Sequence, residues 1–186
     1  MSIMRYPESH KKAVRERIVG AAARELRAHG LDGVSIPALM KQVGLTHGGF
    51  YAHFDDRDEL VAEAVRAAAQ STAESVFADD LEPAQAFGRY LSGTHRDHPE
   101  LGCVVAALGT EGARKDGEVG DAFADVALGL LRLNERKLHP DRPARQVSDQ
   151  ALQQTSALVG ALVLSRLVKD PKLSDRILVA ARAALT

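Results

Sequence analysis

The sequence LTHGGFYAHF at residues 45–54 is the most informative stretch of this chain. Thr46 can cap a short helix, and Phe50 and Phe54, one helical turn apart, lie on one face of it. Two aromatic rings on one face indicate a helix that is fixed to the protein core. Tyr51 cannot share that face, so its side chain is predicted to point outward.

Two helices are predicted before this stretch. Apolar residues recur every four positions over 14–26, which predicts an amphipathic helix over 9–29 that ends at Gly30. Ser35 is a good N-cap for a second helix that runs to about residue 43, and Gly44 ends it. The three-residue turn before the third helix is the spacing of a DNA-binding helix-turn-helix.

The chemistry of the third helix fits contact with DNA. Gly48 and Gly49 each cost roughly 1 kcal/mol against alanine in a helix, and close approach of the backbone to DNA would explain them. The helix N-terminus offers free N–H groups to phosphate oxygens. The side chains predicted to bind phosphates are Tyr51 and His53, and those predicted to read bases are Thr46 and His47.

Residues 9–60 resemble the DNA-binding domain of the TetR/AcrR family of transcriptional repressors. The resemblance is carried by Gly30, Val34-Ser35-Ile36, Leu39, Gly44-Leu45, the block Phe50-Tyr51-Ala52-His53-Phe54, Arg57 and Leu60. Pro37 and Met40 depart from it, and Met40 stands where the family usually has alanine. The resemblance implies DNA-backbone contacts from Ser35, Tyr51, His53 and Arg57, and a major-groove position for Thr46, His47 and Gly48.

The distribution of charge is consistent with a DNA-binding head. Lys and Arg outnumber Asp and Glu by 8 to 4 over residues 1–54, whereas the remainder has 16 against 21. Such asymmetry is expected of a polyanion-binding head on a non-binding body. We therefore expect a DNA-binding domain over 1–56 and a ligand-binding and dimerisation domain over 57–186. Because the excess is small, two heads would have to act together.

The remainder of the chain is predicted to be helical, so the fold class is all-α. Breaks at Pro99, Gly117, Pro140 and Pro171 separate the predicted helices, which follow a connecting helix over 57–78 and lie at about 83–95, 101–115, 118–138, 148–169 and 172–185. The sequence has no signal peptide and no apolar run of transmembrane length, which predicts a cytoplasmic protein without a membrane partner. The N-terminal arm, residues 1–8, carries Arg5 and could touch DNA.

The helix over 148–169 is the predicted dimer interface. Its candidate contacts repeat in steps of three and four, with small residues between them, and are Leu152, Thr155, Val159, Leu162 and Arg166. The family resemblance implies a four-helix bundle between two subunits, with 118–138 or 172–185 as the second helix. A twofold homodimer requires a palindromic double-stranded DNA operator. The alternative is packing within one chain.

Candidate inducer contacts come from apolar positions on the middle helices and two polar neighbours, namely Phe87, Tyr90, Leu91, His95, Cys103 and Phe123. These residues could equally form an ordinary core. Aromatic residues make up 4% of the chain and tryptophan is absent, which favours a small or aliphatic inducer over a flat polyaromatic one.

Cys103 is the single cysteine, so it cannot form an intrachain disulfide. It is predicted at a helix N-terminus, where a thiolate is favoured, so an oxidant- or electrophile-sensing regulator is an alternative. His95, His98 and Cys103 lack a metal-ligand spacing, and no metal or cofactor is expected.

No catalytic motif is present, so an enzyme is not predicted. The sequence predicts a ligand-responsive transcriptional regulator, with repression implied by the family resemblance. A helical interaction module that does not bind DNA is the other alternative.

Overall fold

A computed structural model describes residues 8–143 and 146–185, which fold into helices without a strand. The N-terminal arm considered above lies outside these residues, apart from Glu8. The α-helices are α1 (Glu8–His29), α2 (Ile36–Gln42), α3 (Arg57–Val76), α4 (Pro83–Tyr90), α5 (Gly93–Asp97), α6 (Val104–Gly112), α7 (Gly117–Leu138), α8 (Asp149–Leu167) and α9 (Pro171–Leu185). Two 3₁₀ helices, His47–Ala52 and Pro99–Leu101, lie between them. The all-α prediction is confirmed.

Local capping determines where the first helices begin and end. Gly30 has a φ of 85°, and its N–H donates to the Leu26 carbonyl at 2.8 Å, which ends α1. The Ser35 hydroxyl accepts from the Ala38 N–H at the start of α2. Gly44, with a φ of 74°, turns the chain toward the third helix. The helix-turn-helix was therefore predictable from glycine and capping residues alone.

Two predicted helices differ in detail from the structure. The third helix is a 3₁₀ helix, His47–Ala52, whose tighter winding suits so short a segment. The helix predicted over 83–95 is divided into α4 and α5, because the backbone leaves helical geometry at Leu91 and Ser92 and the Ser92 hydroxyl caps α5 by accepting from His95 N–H at 3.1 Å. This division places His95 on a separate short helix.

A first apolar cluster joins the helix-turn-helix to the helices behind it. Ile18 of α1, Leu39 of α2 and Phe50 are buried in it, together with Val65 of α3 and Phe123 of α7. The cluster continues across the predicted boundary at residue 57 without interruption. Because α6 packs against α1, a displacement of α6 acts directly on α1.

A second apolar cluster holds the far end of the molecule together. Phe77 and Tyr90 lie at its centre, and Leu158 and Leu162 of α8 and Leu178 of α9 complete it. The Phe77 and Tyr90 ring centroids are 5.8 Å apart. The C-terminal halves of α3 and α7 lie between the two clusters, and a cavity remains there.

Candidate nucleic-acid interface and ligand cavity

The 3₁₀ helix presents one aromatic side chain to solvent and keeps two inside. Phe50 and Phe54 are buried and stacked, with ring centroids 5.3 Å apart. Tyr51 is 66% exposed, and its ring meets Phe50 edge-on at 5.2 Å and His47 at 6.1 Å. The contact with Phe50 holds the phenol outward, as the sequence predicted. Thr46 and His47 are exposed on the same short helix.

The two glycines of this helix are not required by packing within the protein. A Cβ at Gly48 would meet no atom within 4 Å. At Gly49 it would make ordinary contacts, 3.6 Å from the Thr46 hydroxyl and 3.8 Å from the Met40 methyl group. Gly48 is also exposed. The free protein therefore gives no steric reason for glycine at residue 48.

The remaining predicted DNA contacts differ in exposure and in whether their side chains already make hydrogen bonds within the protein. Ser35 is exposed, but its hydroxyl caps α2. His53 is half-buried, and its Nδ1 has no hydrogen-bond partner within the described chain. Burial, and then the positive charges of Lys11 and Arg15, lower the pKa of His53, so its neutral form is favoured. Arg57 is half-buried, and its Nη2 already donates to the Leu31 carbonyl.

Arg15 has a structural role that the sequence did not reveal. Its guanidinium donates to the carboxylates of Glu59 and Glu63 on α3 and lies 4.2 Å from the centre of the Phe54 ring. These contacts raise its pKa. Glu59 and Glu63, four residues apart on one helix face, were the available sequence signal for such a partner. Arg15 therefore holds α1 against α3 and against the Phe54 ring, which follows the 3₁₀ helix.

A cavity of about 450 Å³ lies between α3, the start of α6 and α7. We call it the α3/α7 cavity. Its walls include buried side chains such as Phe77, Val104 and Val126, and its lining also includes the exposed Arg66 and Asp125. Its size is within the range of small-molecule sites.

The predicted inducer contacts do not surround this cavity as a group. Cys103 lines it, whereas Phe87, Tyr90 and Leu91 are buried in the second apolar cluster. Phe123 belongs to the first cluster, where its ring occupies the space that a side chain at Gly112 would need. His95 lines a different feature, an open groove of about 660 Å³ between α4, the 92–101 segment and Arg182. Sequence reasoning missed the cavity residues Arg66, Phe77, Leu130, Arg132 and Arg136.

His95 joins three segments behind the cavity. Its Nδ1–H donates to the Tyr90 carbonyl at 2.7 Å, and its Nε2 accepts from the Cys103 N–H at 2.9 Å. The neutral tautomer with the proton on Nδ1 satisfies both contacts. Burial, with smaller contributions from Arg166 and Arg27, lowers the pKa of His95 to about 4. Within the described chain, no group of three His, Cys, Asp or Glu side chains is placed to hold a metal ion.

Two comparisons with known proteins bear on this arrangement. Residues 18–64 match the family model of bacterial regulatory proteins of the tetR family. The match spans the second half of α1, α2, the 3₁₀ helix and the start of α3. Over these residues the chain is similar to that family, and we call residues 18–64 the TetR-type domain. The search of curated proteins found no match.

Solved structures, two of them of TetR-family transcriptional regulators, share the fold of nearly the whole chain. A regulator from Cytophaga hutchinsonii superposes with a TM-score of 0.78 at 17% identity and covers 96% of each chain. One from Chloroflexus aurantiacus gives 0.73 at 20% identity and covers 95% of this chain and 96% of its own. The reduced form of Escherichia coli NemR gives 0.71 at 17%, covering 94% and 95%. At these identities the likeness establishes the fold.

Three hydrogen bonds hold the 102–112 segment, two of them to the TetR-type domain and one to Thr72 of α3. The Gly102 carbonyl accepts from Arg27 Nη1 at 2.6 Å and from the Thr72 hydroxyl at 3.2 Å. The Leu31 N–H, just beyond α1, donates to the carboxylate of Glu111 at 2.8 Å. Both ends of the 102–112 segment therefore hold the C-terminal end of α1. The same segment contributes Cys103, Val104 and Val105 to the cavity lining.

The α8 helix places the predicted dimer contacts on two different faces. Thr155 and Leu162 are buried within the chain, and Thr155 accepts from Asn134 Nδ2 at 3.0 Å. Val159 is partly buried against the second cluster, and Arg166 donates to the carbonyls of His95 and Arg96 at 2.8 and 3.1 Å. Leu152 is exposed, as are Leu164 and Leu167.

Within the described residues, no helix is long and apolar enough to cross a membrane.

Proposed function

We propose that the chain is a homodimeric repressor that binds a palindromic operator and is released from it by a small molecule in the α3/α7 cavity. The observation that carries this proposal is the double role of the 102–112 segment. Its first residues line the cavity, and its Gly102 carbonyl and Glu111 carboxylate hold the end of α1. Occupancy of the cavity can therefore be transmitted to the TetR-type domain.

Operator recognition would be divided between position and sequence. Tyr51, exposed and held outward by Phe50, is proposed to donate to a phosphate, with Ser35, His53 and Arg57 as further backbone contacts. The free N–H groups at the start of the 3₁₀ helix would strengthen this binding. Base contacts would fall to Thr46 and His47, with Gly48 allowing close approach to the major groove.

Dimerisation is proposed through the outer face of α8 together with α9. Leu152, Leu164 and Leu167 are 41%, 55% and 71% exposed, and the neighbouring Val179 of α9 is 55% exposed. No charged side chain interrupts α8 between residues 150 and 165. An apolar, uncharged surface of this kind is typical of protein interfaces. A twofold axis through it would set the two recognition segments about 34–36 Å apart, or a multiple of this.

Release of the operator is proposed to follow movement of α6. A molecule seated between α3 and α7 would press on Val104 and Val105. Because Arg27 and Leu31 are bonded to the ends of this segment, α1 would move with it. In a dimer, a change in the tilt of each head changes the distance between heads, and simultaneous binding to both half-sites is then lost.

The experiment is the affinity of the purified protein for the DNA immediately upstream of its coding region, measured by fluorescence anisotropy across a salt series. We expect binding that exceeds that of a scrambled duplex and that falls steeply with salt, because phosphate contacts release counterions. Binding equal to the scrambled duplex, also after selection from random sequences, would contradict the proposal and favour the interaction module.

The dimer is tested separately by light scattering. Leu164→Arg should convert the dimer to a monomer and reduce operator affinity, whereas Leu128→Arg, at an apolar residue 41% exposed on α7, should do neither. A Leu164→Arg protein that stays dimeric would place the interface elsewhere.

Cys103 supports a second version of the same function. Cys103 is a lining residue of the α3/α7 cavity at the N-cap of α6, so an electrophile in the cavity would lie beside it. Covalent attachment there would displace the same segment that holds α1. This version predicts that a Cys103→Ser protein still binds the operator but no longer responds to a thiol-reactive compound.

A further inference from the structure

The α3/α7 cavity has an apolar interior and a positively charged entrance. Phe77, Val104 and Val126 are buried in its wall. The charged residues of its lining are all exposed, so they lie where the cavity opens to solvent, and they are Arg66, Asp125, Arg132 and Arg136. Three guanidinium groups against one carboxylate leave the entrance with an excess of positive charge. This excess stands out in a chain whose net charge is −1.

Two of the arginines at the entrance have no partner among the described residues. Asp125 is engaged by Arg66, with Nη2 and Oδ2 3.4 Å apart. Arg132 and Arg136 make neither an ion pair nor a side-chain hydrogen bond with any described residue. They are four residues apart on α7, a spacing at which like charges repel and destabilise a helix. The fold alone therefore gives no reason for the pair.

The helix dipole explains the position of Arg136 on α7 but not that of Arg132. Arg136 lies in the last turn of α7, where a cation is favoured. The dipole effect falls off within that turn, and Arg132 lies one turn earlier. A second cation at this place, beside an unpartnered arginine and over a cavity, is the arrangement that binds an anionic group.

We infer that the α3/α7 cavity takes a small aliphatic molecule with one acidic head group, a carboxylate being the simplest. The inference rests on the proposed inducer role of this cavity. The head group accepts from Arg132 and Arg136 at the entrance, and the apolar body lies against Val104, Val126 and Leu133. Phe77 is the one aromatic side chain of the lining, so the wall favours an aliphatic body over a stacked aromatic one.

The test compares octanoate with octanamide, which has the same chain and a neutral head group. Binding to the full-length protein is measured by calorimetry without DNA, so the result does not depend on operator binding. We expect octanoate to bind roughly tenfold more tightly, because its charge-assisted hydrogen bonds to the guanidinium groups are stronger than neutral ones. The preference should shrink as salt is raised.

The variant that isolates the entrance is the double substitution Arg132→Gln and Arg136→Gln. It should bind both compounds with about the affinity of octanamide for the native protein. Arg114→Gln is the matched control, since Arg114 is exposed, has no ion pair with any described residue and does not line the cavity. It should keep the preference for octanoate.

Three results would overturn the inference. They are equal binding of octanoate and octanamide, an unchanged preference in the double variant, and no octanoate binding below the concentration at which it aggregates. Operator binding is then measured with and without octanoate. Octanoate binding in the cavity that leaves operator affinity unchanged would refute the inducer role while the ligand class stands.

Discussion

Protonation of His95 should destabilise the fold, and the size of the effect can be worked out. The neutral ring donates from Nδ1 to the Tyr90 carbonyl and accepts at Nε2 from the Cys103 N–H. A protonated ring has an N–H at both positions, so one of them would face the Cys103 N–H. The ring is 7% exposed, so water cannot replace the lost contact. Burial lowers the pKa of His95 to about 4, although the hydrogen bond to the Tyr90 carbonyl acts in the opposite direction.

Stability falls as the pH falls, because the pKa of His95 is lower in the folded chain than in the unfolded chain. His95 has an ordinary pKa of 6.5 when unfolded and about 4 when folded, so the unfolded chain binds the proton first as pH falls. Its contribution to stability is present above pH 6.5 and is lost as pH falls toward 4. Between pH 7 and pH 5 the loss is about 2 kcal/mol, and below pH 4 it totals about 3 kcal/mol.

The assay is urea unfolding of the native protein and of His95→Gln at pH 7 and pH 5, at one protein concentration because dimerisation adds to stability. At pH 7 the variant should be less stable by about 1–3 kcal/mol, since the flexible Gln side chain neither fills the space of the ring nor holds its amide where the ring holds both nitrogens. On going to pH 5 the native protein should lose about 2 kcal/mol more than the variant does.

His98→Gln is the matched control. His98 lies three residues away, and its side chain is 56% exposed. Its removal leaves the ring of His95 and both hydrogen bonds in place, so this variant should follow the native pH dependence. Glu59 and Glu135, whose pKa values hydrogen bonds lower, also cost stability in acid, but equally in all three proteins. An equal loss in native protein and His95→Gln would refute the reasoning.

Three further predictions concern DNA and the thiol. Tyr51→Ala should weaken binding to all duplexes by a similar factor, whereas His47→Ala should alter which operator is preferred in a competition assay; no effect of either would mean that another segment contacts DNA. Gly48→Ala should weaken DNA binding and leave the urea midpoint unchanged or slightly higher. The control is Gly20→Ala in α1, where a Cβ also meets no atom within 4 Å; it should stabilise the protein by roughly 1 kcal/mol and leave DNA binding unchanged. Cys103, 3% exposed, should react slowly with iodoacetamide, and rapid labelling of the folded protein would support the thiol-based version.

The sequence predicted those features that depend on neighbouring residues. Caps and glycines place the ends of α1 and α2, because Ser35 and Gly30 act through contacts three or four residues away. The same local rule predicts that Tyr51 points outward while Phe50 is buried. The division between α4 and α5 was missed because Ser92 was not recognised as a helix cap.

Features that depend on distant contacts were out of reach. The bond from Arg27 to the Gly102 carbonyl joins residues 75 positions apart. On α8, apolar and small residues surround the whole helix, so periodicity could not tell the face of Leu162, which is buried, from that of Leu164, which is exposed. The predicted inducer contacts lie in different parts of the structure for a similar reason, since burial alone does not distinguish a cavity wall from a packed core.

A buried charge strengthens the contact between the 102–112 segment, which lines the cavity, and α1 of the TetR-type domain. Arg27 is 7% exposed and pairs with no carboxylate among the described residues, and its cation is held by the carbonyls of Gly102 and Ala23. Burial lowers the pKa of Arg27, which shows that its charge is costly there. If Gly102 moved away while α1 stayed, a buried cation would lose its strongest acceptor. It is therefore less costly for α1 to follow the 102–112 segment than to separate from it, and this supports the proposed route from ligand to operator.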